Sequence, residues 1–353
     1  MIAGADWLNP YQTLFPVFRS ARENATQKDF LETPNENPTT TDTTSRPKFV
    51  VFASRIRILS YLPSASPVSP FDLAFLREQF ETMPSPKLLV APSKAELPPV
   101  LCDSIATLAE AAISANGRFS IALSGGSLPK FLGKLSDVFE EKGVDPKWEA
   151  WHVFLADERC VPITDDDSNL KSINTHFLDL EGVGIPKDQI YGIDDGLLDA
   201  TTEAIATSYE ETLRQVLPDP HTLDLAVLGF GPDGHTCSLF PGHPLLDLAP
   251  GKFVASIVDS PKPPPRRITL TLDYLNHHTN HVIVCGAGAS KNPIIEAVFD
   301  LGNESTGGDG DEAACKTLSP TLVSPPPYPC SMVTPKESLT WVVDADAMAG
   351  ESK

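Results

Sequence analysis

Residues 223–242 read LDLAVLGFGPDGHTCSLFPG, and this stretch decides the fold. Leu223 to Leu228 is an apolar run of strand length, and Gly229, Gly231, Pro232 and Gly234 end it in a loop too tight for larger residues. Asp233, His235, Thr236 and Ser238 follow at once, so an acid, an imidazole and two hydroxyls gather at the carboxyl end of a strand. Open α/β sheets bind their ligands there.

The arrangement recurs on either side. Upstream, Lys87 to Ala91 reads as an edge strand, Leu97 to Asn116 as an amphipathic helix, and Phe119 to Leu123 as a buried strand ending in Ser124-Gly125-Gly126-Ser127. Leu128, Phe131, Leu132, Leu135 and Val138 then recur at helical spacing, with Ser127 placed to cap the helix and Pro129 in its first turn. Such a loop exposes N–H groups at a positive helix end, which suits a phosphate, although Gly-Gly turns before helices are often plain turns. His152 to Ala156 is a further strand, with Asp157, Glu158 and Arg159 at its end, a cluster that on its own reads as solvated charge. Ser168 opens a helix with the apolar face Leu170, Ile173 and Phe177, and Asp165 to Asp167 read as its N-terminal caps.

Downstream, Glu203 to Leu217 is an amphipathic helix, and Lys252 to Val258 and Arg267 to Leu272 are strands. The prolines among Pro261 to Pro265 enforce an extended approach to the second of these, which opens on the cationic pair Arg266 and Arg267. His281 to Cys285 runs into GAGASK, a second unit of strand, glycine loop and helix, with Lys291 near the start of a helix through Val298. Residues 302–337, with GGDGDE and SPPPYP, read as one long flexible loop before a last strand, Leu339 to Val343. Alternating helices and strands predict an α/β class, a Rossmann-like open sheet flanked by helices.

Composition narrows the partners. The chain has 353 residues, 41% of them hydrophobic, enough for one large domain plus an appendage. Lys and Arg number 27 against 47 Asp and Glu, a net charge of −20 that repels nucleic acid and anionic lipid and leaves an anionic ligand dependent on a local basic pocket. Six scattered cysteines without a CxxC pair, and no secretory signal, point to a reduced, cytoplasmic compartment. No apolar run approaches the roughly 20 residues of a membrane helix, so no membrane partner is expected.

Residues 1–82 read as a largely disordered extension with two polar linkers, Thr33 to Pro47 and the SASPVSP stretch, and nine acidic against eight basic residues. An equally simple reading makes Met83 the natural start, because MPSPKLLVAP opens like the first strand of a domain. The domain itself is expected to span 83–353.

Two histidine groups invite a metal reading, His235 with Asp233, Cys237 and His243, and the HHxxH of His277, His278 and His281. The second lacks the acidic residue of a metalloprotease and neither has zinc-site spacing, so no metal and no cofactor is expected, and HHTNH reads as the end of a helix or loop. Ser124 and Ser238 lie in no GxSxG elbow, which argues against a serine nucleophile.

In order along the chain stand LSGGSLP, ADERCVP with DDSN, LGFGPDGHTCSLFPG, PPPRRITLTL, GAGASK and WVVD. This set resembles the 6-phosphogluconolactonases from about Met83 to Ala347, with two departures, the first 82 residues and the stretch Gly307 to Pro329. The resemblance implies the fold of glucosamine-6-phosphate deaminase, no metal, and hydrolysis of 6-phospho-D-glucono-1,5-lactone in the oxidative pentose phosphate pathway. Lactone hydrolysis needs a base for water and positive charge for an oxyanion. His235 is the expected base, with Asp233 orienting it and Arg159 as the third catalytic group. Ser124, Gly125, Gly126, Ser127, Asp157, Asn169, Arg267 and Lys291 are expected to bind substrate, the division between phosphate and carbonyl being open. Three other readings stand beside this: a sugar-phosphate isomerase or deaminase with Asp157 as proton carrier, a non-catalytic sugar-phosphate-binding regulator, and an enzyme tethered to a partner by its N-terminal segment. A monomer or weak dimer is expected.

Overall fold

The computed structural model describes residues 85–302 and 314–349. The expected disorder of residues 1–82 lies outside the described residues.

The strands, in chain order, are β1 (Lys87–Ala91), β2 (Phe119–Leu123), β3 (Trp151–Leu155), β4 (Asp157–Arg159), β5 (Leu223–Gly229), β6 (Val254–Ile257), β7 (Arg267–Leu270), β8 (Thr279–Gly286), β9 (Phe299–Asp300), β10 (Lys316–Leu318), β11 (Thr321–Leu322) and β12 (Ser338–Asp344). The helices are α1 (Leu97–Asn116), α2 (Leu135–Lys142), α3 (Asn169–Ile173), α4 (Thr202–Val216), α5 (Leu272–His277), α6 (Asn292–Val298) and α7 (Ala345–Ala349). Strands apolar on both faces must be covered twice, and here they lie parallel in a seven-stranded sheet ordered β10-β1-β12-β8-β5-β2-β3. Only β10 runs antiparallel, against β1. A second sheet, β4-β7-β6, is antiparallel throughout.

From β2 the chain moves outward to β3, whereas from β5 it moves the other way to β8. The order therefore reverses between β2 and β5, and the loops after these two strands face a single crevice. Their register is tied by Asp224, whose Oδ2 accepts from the backbone N–H and the hydroxyl of Ser120 at 2.8 and 2.7 Å. The second sheet continues directly from β3: Ala156 donates to Leu123 and accepts from Leu270, so β4 and β7 reach the same end of the main sheet.

Several expectations are corrected. The segment 302–337 is no single loop, because its described part supplies β10, β11 and a 3-10 turn at Pro329–Ser331. Consequently β1 is not an edge strand. Leu128–Lys134 is a 3-10 helix rather than the first turns of an α-helix, and Ser127, already at φ −84 and ψ −15, caps nothing with its side chain. HHTNH ends α5 and opens β8, as its sequence suggested.

By length and hydropathy α1 would suffice to cross a membrane, against the expectation that no run approaches this. It is a core helix here. Leu97, Leu101, Ile105, Ala109 and Ile113 are buried along one stripe that packs on the sheet, Asp103 and Glu110 face outward, and Gly117 at φ 73 terminates it.

At the β3 edge, Trp151 stacks edge-on against Phe119 at 4.6 Å between centroids and lies 4.9 Å from Trp148. Its ring is fully buried, and its indole N–H donates to the Pro146 carbonyl at 2.9 Å. Trp151→Ala is expected to lower unfolding free energy by about 3 to 5 kcal/mol, read from the midpoint in a denaturant titration at unchanged slope.

Candidate active site

The loop after β5 is closed by its own backbone. Gly231 donates to the His235 carbonyl at 2.9 Å and Gly234 to the Gly231 carbonyl at 3.0 Å, while the Thr236 hydroxyl donates to Gly229. This turn folds Asp233 back on His235, with Oδ1 and Nδ1 2.5 Å apart. A side chain at Gly231 would sit 2.1 Å from the imidazole and 2.3 Å from that carboxylate, so only glycine admits the pair. The imidazole also stacks on Phe240, centroids 5.0 Å apart.

Lys262, from the proline-rich loop before β7, places Nζ 3.2 Å from Asp233 and 3.1 Å from His235 Nδ1. An ammonium donates only, and the 2.5 Å contact with a carboxylate requires a proton between its atoms. Nδ1–H therefore donates to Asp233, Lys262 donates to the same carboxylate, and Nε2 carries a free lone pair. Burial pulls the imidazole below its ordinary value of about 6.5, opposed by the hydrogen bond and charge of Asp233 and assisted by the charge of Lys262. For Asp233, burial acts upward, but the bond and charge of His235 and the bond from Lys262 outweigh it and hold the carboxyl at about 2. At neutral pH the pair is a carboxylate and a neutral base.

The DER segment is not solvated charge. Asp157 and Glu158 are buried, and both Glu158 oxygens are occupied: they accept from the N–H groups of Arg159, Asn169 and Leu170 at 2.7, 2.7 and 2.9 Å and from the Ser168 hydroxyl at 3.1 Å. Burial raises this carboxyl, and the three backbone bonds draw it back. Glu158 and Ser168 thus cap α3, whereas Asp165 and Asp166 serve the turn before it, bonding Asp167 N–H and Lys171. The cap fixes Asn169, whose Nδ2 donates to the Asp157 carbonyl and whose Oδ1 presses on Gly125, where a Cβ would lie only 1.8 Å away. Asp157 Oδ2 accepts from Ser238 at 2.8 Å. In this way the loops after β2, β3 and β5 are bound together.

Arg159 and Arg267 face one another across the β4–β7 pairing. Arg159 donates to the Asp167 carbonyl, and its Nε is buried without a partner among the described residues. Arg267 spends its Nε and Nη2 donors on the carbonyls of Lys262, Pro263 and Pro264 at 2.9 to 3.0 Å, so it shapes the loop that carries Lys262. Lys291 donates to the Phe230 carbonyl, and burial followed by the charge of Lys262 lowers its pKa. Ser124 Oγ is buried beside the Cys237 thiol, and the N–H groups of Gly125 and Gly126 meet no acceptor among the described residues. A separate cleft between Glu158, Ser168, Asp194 and Asp195 is acidic and does not suit an anion. Among the described residues no group of three or more His, Cys, Asp or Glu is arranged to hold a metal.

Residues 92–341 match the family described as glucosamine-6-phosphate isomerases/6-phosphogluconolactonase. The chain belongs to this family. It is 37% identical to a probable 6-phosphogluconolactonase 3, chloroplastic, of Oryza sativa subsp. indica, over 74% of this chain and 75% of that one. The crystal structure of a 6-phosphogluconolactonase from Thermotoga maritima superposes with a TM-score of 0.56 at 25% identity, covering 73% of this chain and 98% of that one. A monomeric glucosamine-6-phosphate deaminase shares the fold at 16% identity and a TM-score of 0.50 over 71% of this chain and 94% of that one.

Within this member of the family, the structure gathers His235, Asp233, Asp157, Asn169 and Arg267 into one hydrogen-bonded assembly with Ser238, and sets Gly125 against it. Three residues escaped sequence reading. Lys262 sits in a PKPPP run that announces only its prolines, Glu158 looks solvated until α3 is folded over it, and nothing local marks Tyr328, which lies against Gly234. Because Asp233 opposes burial and Lys262 most strongly, with a smaller contribution from Asp157, Asp233→Asn is expected to move the His235 titration, followed by NMR, to lower pH. An unmoved titration would contradict the tautomer assigned here.

Proposed function

We propose that the chain hydrolyses 6-phospho-D-glucono-1,5-lactone to 6-phospho-D-gluconate, the second step of the oxidative pentose phosphate pathway. The observation that carries this reading is an imidazole whose Nδ1 lies 2.5 Å from a carboxylate and whose Nε2 has no partner among the described residues, at the switch point of the sheet in a chain whose relatives are named 6-phosphogluconolactonases. His235 Nε2 takes a proton from water, whose oxygen bonds to the lactone carbonyl carbon as the carbonyl π pair moves onto oxygen. The oxyanion collapses, the bond from carbon to ring oxygen breaks, and the imidazolium returns its proton to that oxygen. Asp233 holds the imidazolium in between.

The substrate phosphate is a dianion in a protein of net charge −20, so the cations have to be local. We assign them as Arg159 and Lys291, joined by the N–H groups of Gly125, Gly126 and Ser127 and the Ser124 hydroxyl. Asn169 and Asp157 hold this lining in place, and Arg267 acts through the Lys262 loop. The isomerase alternative asks Asp157 to shuttle a proton, and its buried, Ser238-bonded carboxylate argues against that. Unpaired cysteines suit a reducing compartment, and we place the enzyme in the cytoplasm, whereas the rice relative is named chloroplastic. We also expect a monomer or weak dimer, and a fold independent of residues 1–82.

Freshly prepared lactone should open faster than it does spontaneously, with a chelator present, and glucosamine 6-phosphate should remain unchanged. Inhibition by the chelator that a divalent ion reverses would overturn this reading. His235→Ala should lower kcat by about 10² to 10⁴, with a smaller change in KM. For the wild type, kcat/KM should fall with decreasing pH on a limb centred below about 6.5, because protonation removes the base. A chain starting at Met83 should fold and turn over normally; insolubility would make the preceding segment integral.

A further inference from the structure

The segment 328–334 reaches the base loop from the other end of the chain. Tyr328 lies on the α-carbon of Gly234, so closely that a Cβ there would be 2.4 to 2.6 Å from its ring and its own Cβ. Gly234 stands between Asp233 and His235 at φ 76, a conformation that side chains resist. On the same residue, the Cys330 N–H donates to the Gly234 carbonyl at 3.1 Å. The brace is itself anchored. The Ser331 hydroxyl bonds the Tyr328 carbonyl at 2.8 Å, Cys330 and Val333 are fully buried, and Asn276 of α5 bonds both Met332 and Thr334.

We propose that residues 328–331 act as a brace for the catalytic pair, with Tyr328 the positioning residue that fixes Asp233 against His235. Gly234 has no side chain of its own to hold it, and its peptide connects the two groups whose 2.5 Å contact sets the imidazole tautomer. Without the ring, the turn gains freedom at the one residue that both groups share. Small displacements of this kind cost rate rather than affinity, because the geometry of proton transfer is what they spoil. The charged groups facing His235 are Asp233 in its own loop, Lys262 in the proline-rich loop and Asp157 in β4. Of these, only Asp233 adjoins the braced residue.

This inference rests on the lactonase reading, so wild type and variants are assayed side by side with histidine NMR on each. Tyr328→Ala should lower kcat between about tenfold and a hundredfold with KM within about twofold. Its acid limb and its His235 titration should both move to lower pH, since a loosened Asp233 supports the imidazolium less. Tyr328→Phe, which keeps the ring, should restore kcat and both pH values. Inactive wild type would sink the lactonase reading, and a shifted NMR titration in Tyr328→Ala would then still support the brace. Four results would overturn the brace: Tyr328→Ala with a lowered melting temperature but unchanged kcat and titration; an effect confined to KM, which would make the ring a substrate contact; a reduced kcat with the titration unmoved; or Tyr328→Phe behaving like the alanine variant.

Discussion

The hydrogen bond between Asp233 and His235 joins residues two positions apart, and such neighbours meet only if the backbone between them folds tightly back. That constraint propagates outward. It excludes a side chain at Gly231, demands a left-handed conformation at Gly234, and leaves Phe240 as the surface on which the imidazole rests. The turn is in turn held from three sides, by Thr236 to the end of β5, by Ser238 to Asp157, and by Cys330 to Gly234.

Electrostatics is the second constraint. In a chain carrying −20, four cations, Arg159, Lys262, Arg267 and Lys291, converge around two loops, and each is bonded to a backbone carbonyl or to Asp233 rather than to a distant acid. For Arg159, Arg267 and Lys291 the partner is a carbonyl, which satisfies a donor without cancelling its charge, whereas Lys262 is paired with the Asp233 carboxylate. Glu158 is consistent with this arrangement, since backbone N–H groups and a serine hydroxyl absorb its oxygens instead of the arginine beside it.

The fold was legible where burial acts within a few residues. The runs at β2, β5 and β8 are apolar on both faces, which marks a covered parallel strand, and α1 shows its stripe in the spacing of Leu97, Leu101 and Ile105. Illegible features depend on partners far along the chain. Strand β10 is short and lacks alternation, and takes its conformation from the open edge of β1. Glu158 is distinguished from a solvated acid only by N–H groups that α3 delivers, and Tyr328 only by a glycine far back along the chain. His235 and Asp233 could be picked from sequence because the loop supplies both, whereas Lys262, which sets the protonation balance with them, arrives from another loop.

The chemistry of the site turns on the protonation state of one ring. With histidine labelled at both ring nitrogens, the ¹⁵N spectrum of the protein at neutral pH reports which nitrogen of His235 carries the proton. The expected spectrum is that of a neutral imidazole protonated at Nδ1 with Nε2 bare. A ring protonated at Nε2 alone, or an imidazolium at that pH, would contradict it.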